Sequence, residues 1–476
     1  MPRRRSRIVL TENIFMRIEI LKRSAVMLYL TVVFSVFTIA QNTTSTLTGT
    51  TSDSDDILPG AVVKLTEVES GITYSAISNQ KGQFRITGLT PGGPYRLEVS
   101  YVGHKKSVID IKRISLGEVY SCNVELTSGN ELQEVIVKGQ AAALRKTGSS
   151  ESISAEDIDN KATVDRTLQD ILAMSPYYIG SGSFGGRDGG MNNYSIDGAN
   201  FNANMGLDRE KMPGAGTPFA LEALEDIQIV NSAFDVKNSN FMGATINAVT
   251  KKGTNTFRGS AYHFYKDESL RGNRVDGEEF TAPRGDIKRT IYGLTLGGPI
   301  IKDKLFFFVS AELENTPLQL HQWQASKDGV EDGKNLISRV TESDMKQFAS
   351  DLQSMYGWNP GSYNDFTGDN KFFRLMTRID WNISKYHKLT LRYNQTNGKK
   401  DNSYSSPGMG MNDGRVSIYS MVFDGSNWKK VDNVYSLTGE LNSRFGNNIT
   451  NTCAHRSHST MPTTASVMPP SHVSKL

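Results

Sequence analysis

In the run Leu305-Phe306-Phe307-Phe308-Val309-Ser310-Ala311-Glu312-Leu313-Glu314, the residues Leu305, Phe307, Val309, Ala311 and Leu313 are all apolar, while Ser310, Glu312 and Glu314 begin a polar opposite face. Successive side chains of a strand point to opposite faces, so this ribbon has one greasy side and one wet side. The pattern returns in Phe373-Leu375-Thr377-Ile379-Trp381, set against Arg374, Met376, Arg378 and Asp380. It returns again in Tyr435-Leu437-Gly439-Leu441, set against Ser436, Thr438, Glu440 and Asn442. Such ribbons suit a membrane barrel with lipid outside and an aqueous lumen inside. A soluble sandwich alternates in the same way, so one strand does not decide between them.

The connections do. Lys266 to Lys288, Asn315 to Asn370 and Asn394 to Asp432 are long and polar, whereas the turns around Pro299 to Lys304 and Asn382 to His387 are short. Alternating long and short connections predict outer loops and periplasmic turns. Tyr262, Phe264, Trp381 and Tyr393 near strand ends suit interfacial girdles, a role that core aromatics would mimic. About six strands fall before Phe445, and closure of a bacterial barrel needs at least ~8. Residues 447–476, with Cys453, His455, His458 and Met468-Pro469-Pro470 among Ser and Thr, show no alternation. They read as an aberrant tail, the product of a frameshift or early stop, and not as a metal site, because no regular ligand spacing is present.

Composition excludes other classes. The formal charge of +3, from 53 basic and 50 acidic residues spread along the chain, gives no nucleic-acid footprint. Two distant cysteines make no disulfide framework, and the seven histidines form no zinc-ligand pair. No catalytic residue, cofactor or metal ligand is expected. Lys22 and Arg23 precede the apolar stretch Ala25 to Phe37, and Thr38-Ile39-Ala40 supplies small residues for cleavage. The run is shorter than the ~20 residues of a spanning helix, so residues 1–40 read as a signal peptide cleaved near Ala40, with Met1 or Met16 as the start.

Residues 41–128 hold short β-rich runs, Ala61 to Leu65, Phe84 to Ile86 and Tyr95 to Val99, broken by Leu58-Pro59-Gly60, Asn79 to Gly82 and Pro91 to Pro94. This spacing predicts a small sandwich. Pro59-Gly60-Ala61, Gly82-Gln83-Phe84 and Val99 to His104 resemble the carboxypeptidase regulatory-like domain, which has no active site of its own. Residues 129–150 form a linker around Glu134-Val135-Ile136-Val137-Lys138. Taken alone this is an ordinary strand; between two domains, its exposed edge could accept a strand from another protein.

Residues 151–254 carry an amphipathic helix with Leu168, Ile171 and Leu172 on one face, then a glycine-rich loop from Gly180 to Gly190 that includes Arg187. Asn193-Tyr194-Ser195-Ile196-Asp197-Gly198, Leu224 to Ser232 and Gly243 to Asn255 follow. The loop lacks the Gly-Lys-Ser/Thr ending of a phosphate cradle. In this order the motifs resemble the plug of TonB-dependent outer-membrane receptors, of the sandwich-extended type common in Bacteroidetes. The resemblance implies a mainly β chain: an N-terminal β-sandwich, an α+β plug domain and the first strands of a transmembrane antiparallel β-barrel over 255–446, incomplete. It makes Glu134 to Lys138 the TonB box, and Arg187, Asn193, Asp197 and Gly198 members of the plug loop. It further implies an outer-membrane location, TonB as partner and a nutrient ligand of the glycan, peptide, siderophore or cobalamin class, and it admits a surface lipoprotein partner. The rival readings are a secreted adhesion or carbohydrate-binding sandwich, and a peptidase with an accessory sandwich.

Overall fold

The computed structural model describes residues 43–466 apart from 55, 130–134, 137–141, 144–149, 164, 181, 203–217, 232–242, 280–286, 320–322, 365–366, 403–416 and 446–448. The signal-peptide segment, Glu134, Val137, Lys138 and 467–476 lie outside the described residues.

The sandwich is built from β1 (Ser45–Ser52), β2 (Val62–Glu67), β3 (Thr73–Ile77), β4 (Gln83–Leu89), β5 (Tyr95–Ser100), β6 (Ser107–Ile111), β7 (Val119–Ser121) and β8 (Val124–Glu125). Alternation sets the core: in β2 Val63 and Leu65, and in β5 Tyr95, Leu97 and Val99, are fully buried, while their neighbours face water. Gly82 turns the chain into β4 at φ +67°, and a Cβ there would meet the carbonyl of Thr51 at 2.6 Å, which is why glycine stands at this break. Part of the linker belongs to this domain. Val135–Ile136 (β9) pairs in parallel with β6, and Ala142–Ala143 (β10) pairs with β7.

A clasp closes the sandwich where that linker leaves. Asp53 Oδ2 accepts from Ser128 Oγ at 2.7 Å and lies 2.9 Å from His104 Nε2, while Lys105 N donates to Thr127 O at 2.9 Å. The hydrogen bonds from Ser128 and His104 hold the Asp53 carboxyl well below its usual range, and the bond to Asp53 pushes His104 up. A raised histidine contributes fully below the ordinary value of 6.5 and is lost as pH rises through the folded one. The lowered aspartate contributes above 3.8 and is lost as pH falls. The thermal midpoint of the sandwich is therefore expected to fall on both sides of that window, and His104→Gln to flatten the alkaline limb. Equal melting profiles for both proteins above pH 6.5 would refute the clasp.

The plug sheet runs β11 (Ser150–Ser154), β14 (Leu224–Val230), β15 (Thr245–Thr250), β12 (Asn193–Ile196) and β13 (Ala199–Asn200). β12 and β15 are parallel, the other neighbours antiparallel. The one expected helix is two short ones, α1 (Ala155–Asn160) and α2 (Leu168–Leu172), each started by a capping box, Ser154 with Asp157 and Thr167 with Asp170. Leu168, Ile171 and Leu172 do share the buried face.

The third unit is a seven-stranded antiparallel wall in chain order: β16 (Arg258–Asp267), β17 (Lys288–Ile301), β18 (Leu305–Asn315), β19 (Lys371–Ser384), β20 (His387–Asn402), β21 (Trp428–Phe445) and β22 (Ile449–Ser466). The six expected strands are all present. β22 corrects the reading of 447–476 as a tail without strand: Ile449 to Ser466 pairs with β21 over its whole length. Edge pairing needs only backbone groups, and the Thr and Ser of this stretch tolerate extended backbone without an apolar face. The long segment from Asn394 to Asp432 is likewise shorter than expected, because β20 continues to Asn402 and β21 begins at Trp428. Within the long 315–370 connection a helix, α3 (Glu342–Tyr356), forms between a Thr341 and Asp344 capping box and Gly357 at φ +65°.

Candidate functional site

The wall is inside out. On β18, Glu312 and Glu314 are 7% exposed and Leu313 is 56% exposed; on β21, Glu440 is 2% and Leu437 54%. A water-soluble sandwich buries the leucines and wets the glutamates. Here the polar side of the ribbons is covered by the plug, and the greasy side has no protein against it among the described residues. From Leu305 to Leu313 the apolar row climbs about 26 Å along the strand, or about 20 Å at a ~40° tilt, near the ~25 Å apolar band of outer-membrane barrels. No described helix is long and apolar enough to cross a membrane.

The plug is seated on the wall by three apolar residues and one ionic cluster, and a second ionic cluster lies within the wall. Phe308, Met376 and Val434 join the plug core of Tyr194, Ile196, Ile227 and Ile246. Nearer the short turns, Asp197 and Gly198 make the tight turn between β12 and β13, with φ of +49° and +77°. That turn points the Asp197 carboxylate at Thr250, whose amide and hydroxyl donate to it at 3.1 and 2.9 Å. Arg392 then bridges plug and wall, 3.5 Å from Asp197 and 2.9 Å from Glu440. Beside it Arg378 donates to Asp380 at 2.7 Å and to the Thr250 carbonyl at 2.8 Å. Towards the long loops, Arg374 binds Glu312 and Glu314 at 2.8 and 2.7 Å, Arg289 reaches Glu314 at 2.8 Å, and Tyr262 donates to Glu312 at 3.0 Å. Buried charges persist only when paired; the Arg392–Asp197 pair and the Arg378 bond to Thr250 cross the joint between plug and wall, while the Arg374 cluster is paired within the wall.

The sandwich closes the short-turn end. Arg113 holds plug Asp226 at 3.0 Å, and Asp226 also accepts from the Leu116 amide at 3.1 Å and from Ser152 of β11 at 2.5 Å. Lys252 pairs with Glu67; burial works to raise the Glu67 carboxyl, but Lys252 beside it holds it below the usual carboxylate range. Arg258 reaches Glu69 at 2.7 Å and Lys388 reaches Thr90 at 3.0 Å.

The expected plug-loop residues fall apart in space and in role. Asp197 and Gly198 belong to the seat. Asn193 is buried in the plug sheet and accepts from Asn202 at 2.9 Å. Arg187 is exposed on the glycine-rich loop, its amide tied back to Phe184. Val135 and Ile136 of the expected TonB box lie on the sandwich edge. Arg374 and Arg378 were legible only as members of a polar lumen face, and Arg392 was not singled out; alternation with apolar residues marks a face but not its partners.

A sandwich docked beneath a plug, itself seated on the polar face of an outward-greasy β-wall, is the build of a plugged outer-membrane barrel. Known proteins resemble the chain in parts. Residues 46–127 match the family described as carboxypeptidase regulatory-like domain, and residues 249–322 the one described as outer membrane beta barrel domain. The TonB-dependent transporter Oar of Myxococcus xanthus is 24% identical over 382 residues, a match covering 74% of this chain and 33% of the transporter. The chain thus spans about a third of the length of the curated relative it matches. Similar solved structures include the outer membrane transporter YddB from Escherichia coli (13% identity, TM-score 0.42, 62% of this chain and 37% of that one). The siderophore receptor PirA from Pseudomonas aeruginosa is another (14%, 0.41, 67% and 42%). The likeness is thus to a carboxypeptidase regulatory-like domain over 46–127, to an outer membrane beta barrel domain over 249–322, and to part of one TonB-dependent transporter.

Proposed function

We propose that the chain serves TonB-dependent import of a nutrient ligand across the outer membrane, in receptors of the sandwich-extended type found in Bacteroidetes. The observation that carries this is the inverted wall, apolar residues outward and paired charges inward against the plug. The box Glu134 to Lys138 recruits TonB by strand addition. Val135–Ile136 already pairs with β6 on one side, so a partner strand adds on the other side or displaces β6. A pull on the linker loads β11 first, because β11 is the outer strand of the plug sheet and directly follows the linker. Ser152 then leaves Asp226, and the sandwich latch at Arg113 loosens with it. The ligand class is glycan, peptide, siderophore or cobalamin, taken up from the long-loop side.

Fractionation of a tagged chain tests the membrane reading: recovery with the outer membrane is expected, and a soluble product would end it. For the box, Ile136→Pro is expected to abolish binding of the chain to the periplasmic domain of TonB in a pull-down, since proline cannot donate to a ladder. Unchanged capture would move the box elsewhere.

A further inference from the structure

The outward face of the wall is not uniformly greasy. Near its long-loop end lies a groove of about 420 Å³, within the ~300–1,000 Å³ range of small-molecule sites. Its floor is Tyr292, Leu313 and Phe373, which stand opposite one another on β17, β18 and β19. One row higher, Lys371 and Lys399 face each other across β19 and β20 at the mouth. Lys371 pairs with the exposed Asp369 at 2.9 Å, and Lys399 has no ion pair among the described residues.

The far wall is polar. Asn397 and Asn433 stand opposite each other there and continue an outward hydrogen-bonded row. Tyr393 donates to Gln395 at 3.0 Å, Gln395 to Asn397 at 2.5 Å, and Asn397 to Asn433 at 2.7 Å and to Tyr435 at 3.1 Å. At the same heights β17 and β18 present Tyr292, Leu294, Ala311 and Leu313, so the amides are confined to one side. Lysines that merely snorkel to the interface explain charge at any rim position. They do not explain why the charge coincides with an apolar recess and an amide ledge. The ledge is not self-sufficient either, since the Asn433 amide nitrogen has no partner among the described residues.

We propose that this groove binds one phosphorylated glycolipid of the outer leaflet. Its acyl chain lies on Tyr292, Leu313 and Phe373, its sugar hydroxyl and amide groups meet Asn397 and Asn433, and its phosphate sits between Lys371 and Lys399. Ammonium groups suit phosphate as point charges, and the long-loop end places them at headgroup height. The proposal rests on the membrane reading above. The test is run on the full chain in detergent micelles, which reads the groove whether or not the chain inserts; fractionation decides insertion separately. Native mass spectrometry with added lipid A, phosphatidylglycerol or phosphatidylcholine is expected to show one retained lipid A. Retention should weaken about tenfold or more in the Lys371→Glu/Lys399→Glu double variant. It should also weaken in Leu313→Trp, which fills the floor and leaves the charges alone. Equal retention of lipid A by wild type and the double variant, or of phosphatidylcholine and lipid A by wild type, overturns the proposal. Phosphatidylglycerol held as well as lipid A overturns the glycolipid assignment.

Discussion

Arg392→Met is expected to unseat the plug. Arg392 is 5% exposed and stands between two buried carboxylates, Asp197 of the plug and Glu440 of the wall. Methionine keeps the stem and removes the charge, so both carboxylates stay in a dry joint with less to hold them. Asp197 retains Thr250, and Glu440 retains Asn442 at 2.8 Å, but neither replaces a full charge. Removing one partner of a buried pair typically costs about 3–5 kcal/mol, roughly two to four orders of magnitude in the equilibrium between seated and released plug. Hydrogen exchange should accelerate over Asn193 to Thr250 and leave the sandwich unchanged. Arg374→Met is the control, because Arg289 and Tyr262 still hold Glu314 and Glu312 after it is gone. Adding Glu440→Gln to Arg392→Met should recover part of the loss. Exchange in the single variant equal to that of the wild type would show that the seat is apolar and the charges incidental.

How far the sequence reaches depends on whether a feature is local. Period-two alternation is local, so β18, β19 and β21 stood out, as did the sandwich strands between their Gly and Pro breaks. Capping boxes are local too, and the Thr341 and Asp344 pair signals α3 once it is sought; a long polar connection masked it. Asn394 to Asn402 and Ile449 to Ser466 carry no apolar face, and pairing with a neighbouring strand, a tertiary event, makes them ribbons. The site was legible by halves. Asp197-Gly198 announces a tight turn, while Arg392 was not singled out, and nothing near either residue says that they meet. Ion pairs between distant segments are properties of the fold, and alternation shows only which side of the ribbon is available for them.

The inverted wall yields the prediction that divides its rival readings most sharply, Val309→Arg. Val309 is at the middle of the outward row, opposite Leu296 and Thr377. In a bilayer an arginine at mid-depth costs about 2–4 kcal/mol, roughly 30- to 1,000-fold in folding equilibrium, and the cost falls to about 0–1 kcal/mol near the interface. Thr290→Arg, on the same face but level with Lys371 at the long-loop rim, should therefore be nearly silent. The measurement is urea titration of the chain in lipid vesicles, read by tryptophan fluorescence. If that face met water, Val309→Arg would be nearly harmless, since Val309 is only half-buried and the guanidinium would reach solvent. If it were covered by protein, both arginines would destabilise, because a packed interior has no depth scale and penalises an unpaired charge wherever it is buried. Only a lipid-facing wall gives a steep loss at the centre and little at the rim, so the gradient between the two positions is the quantity that decides.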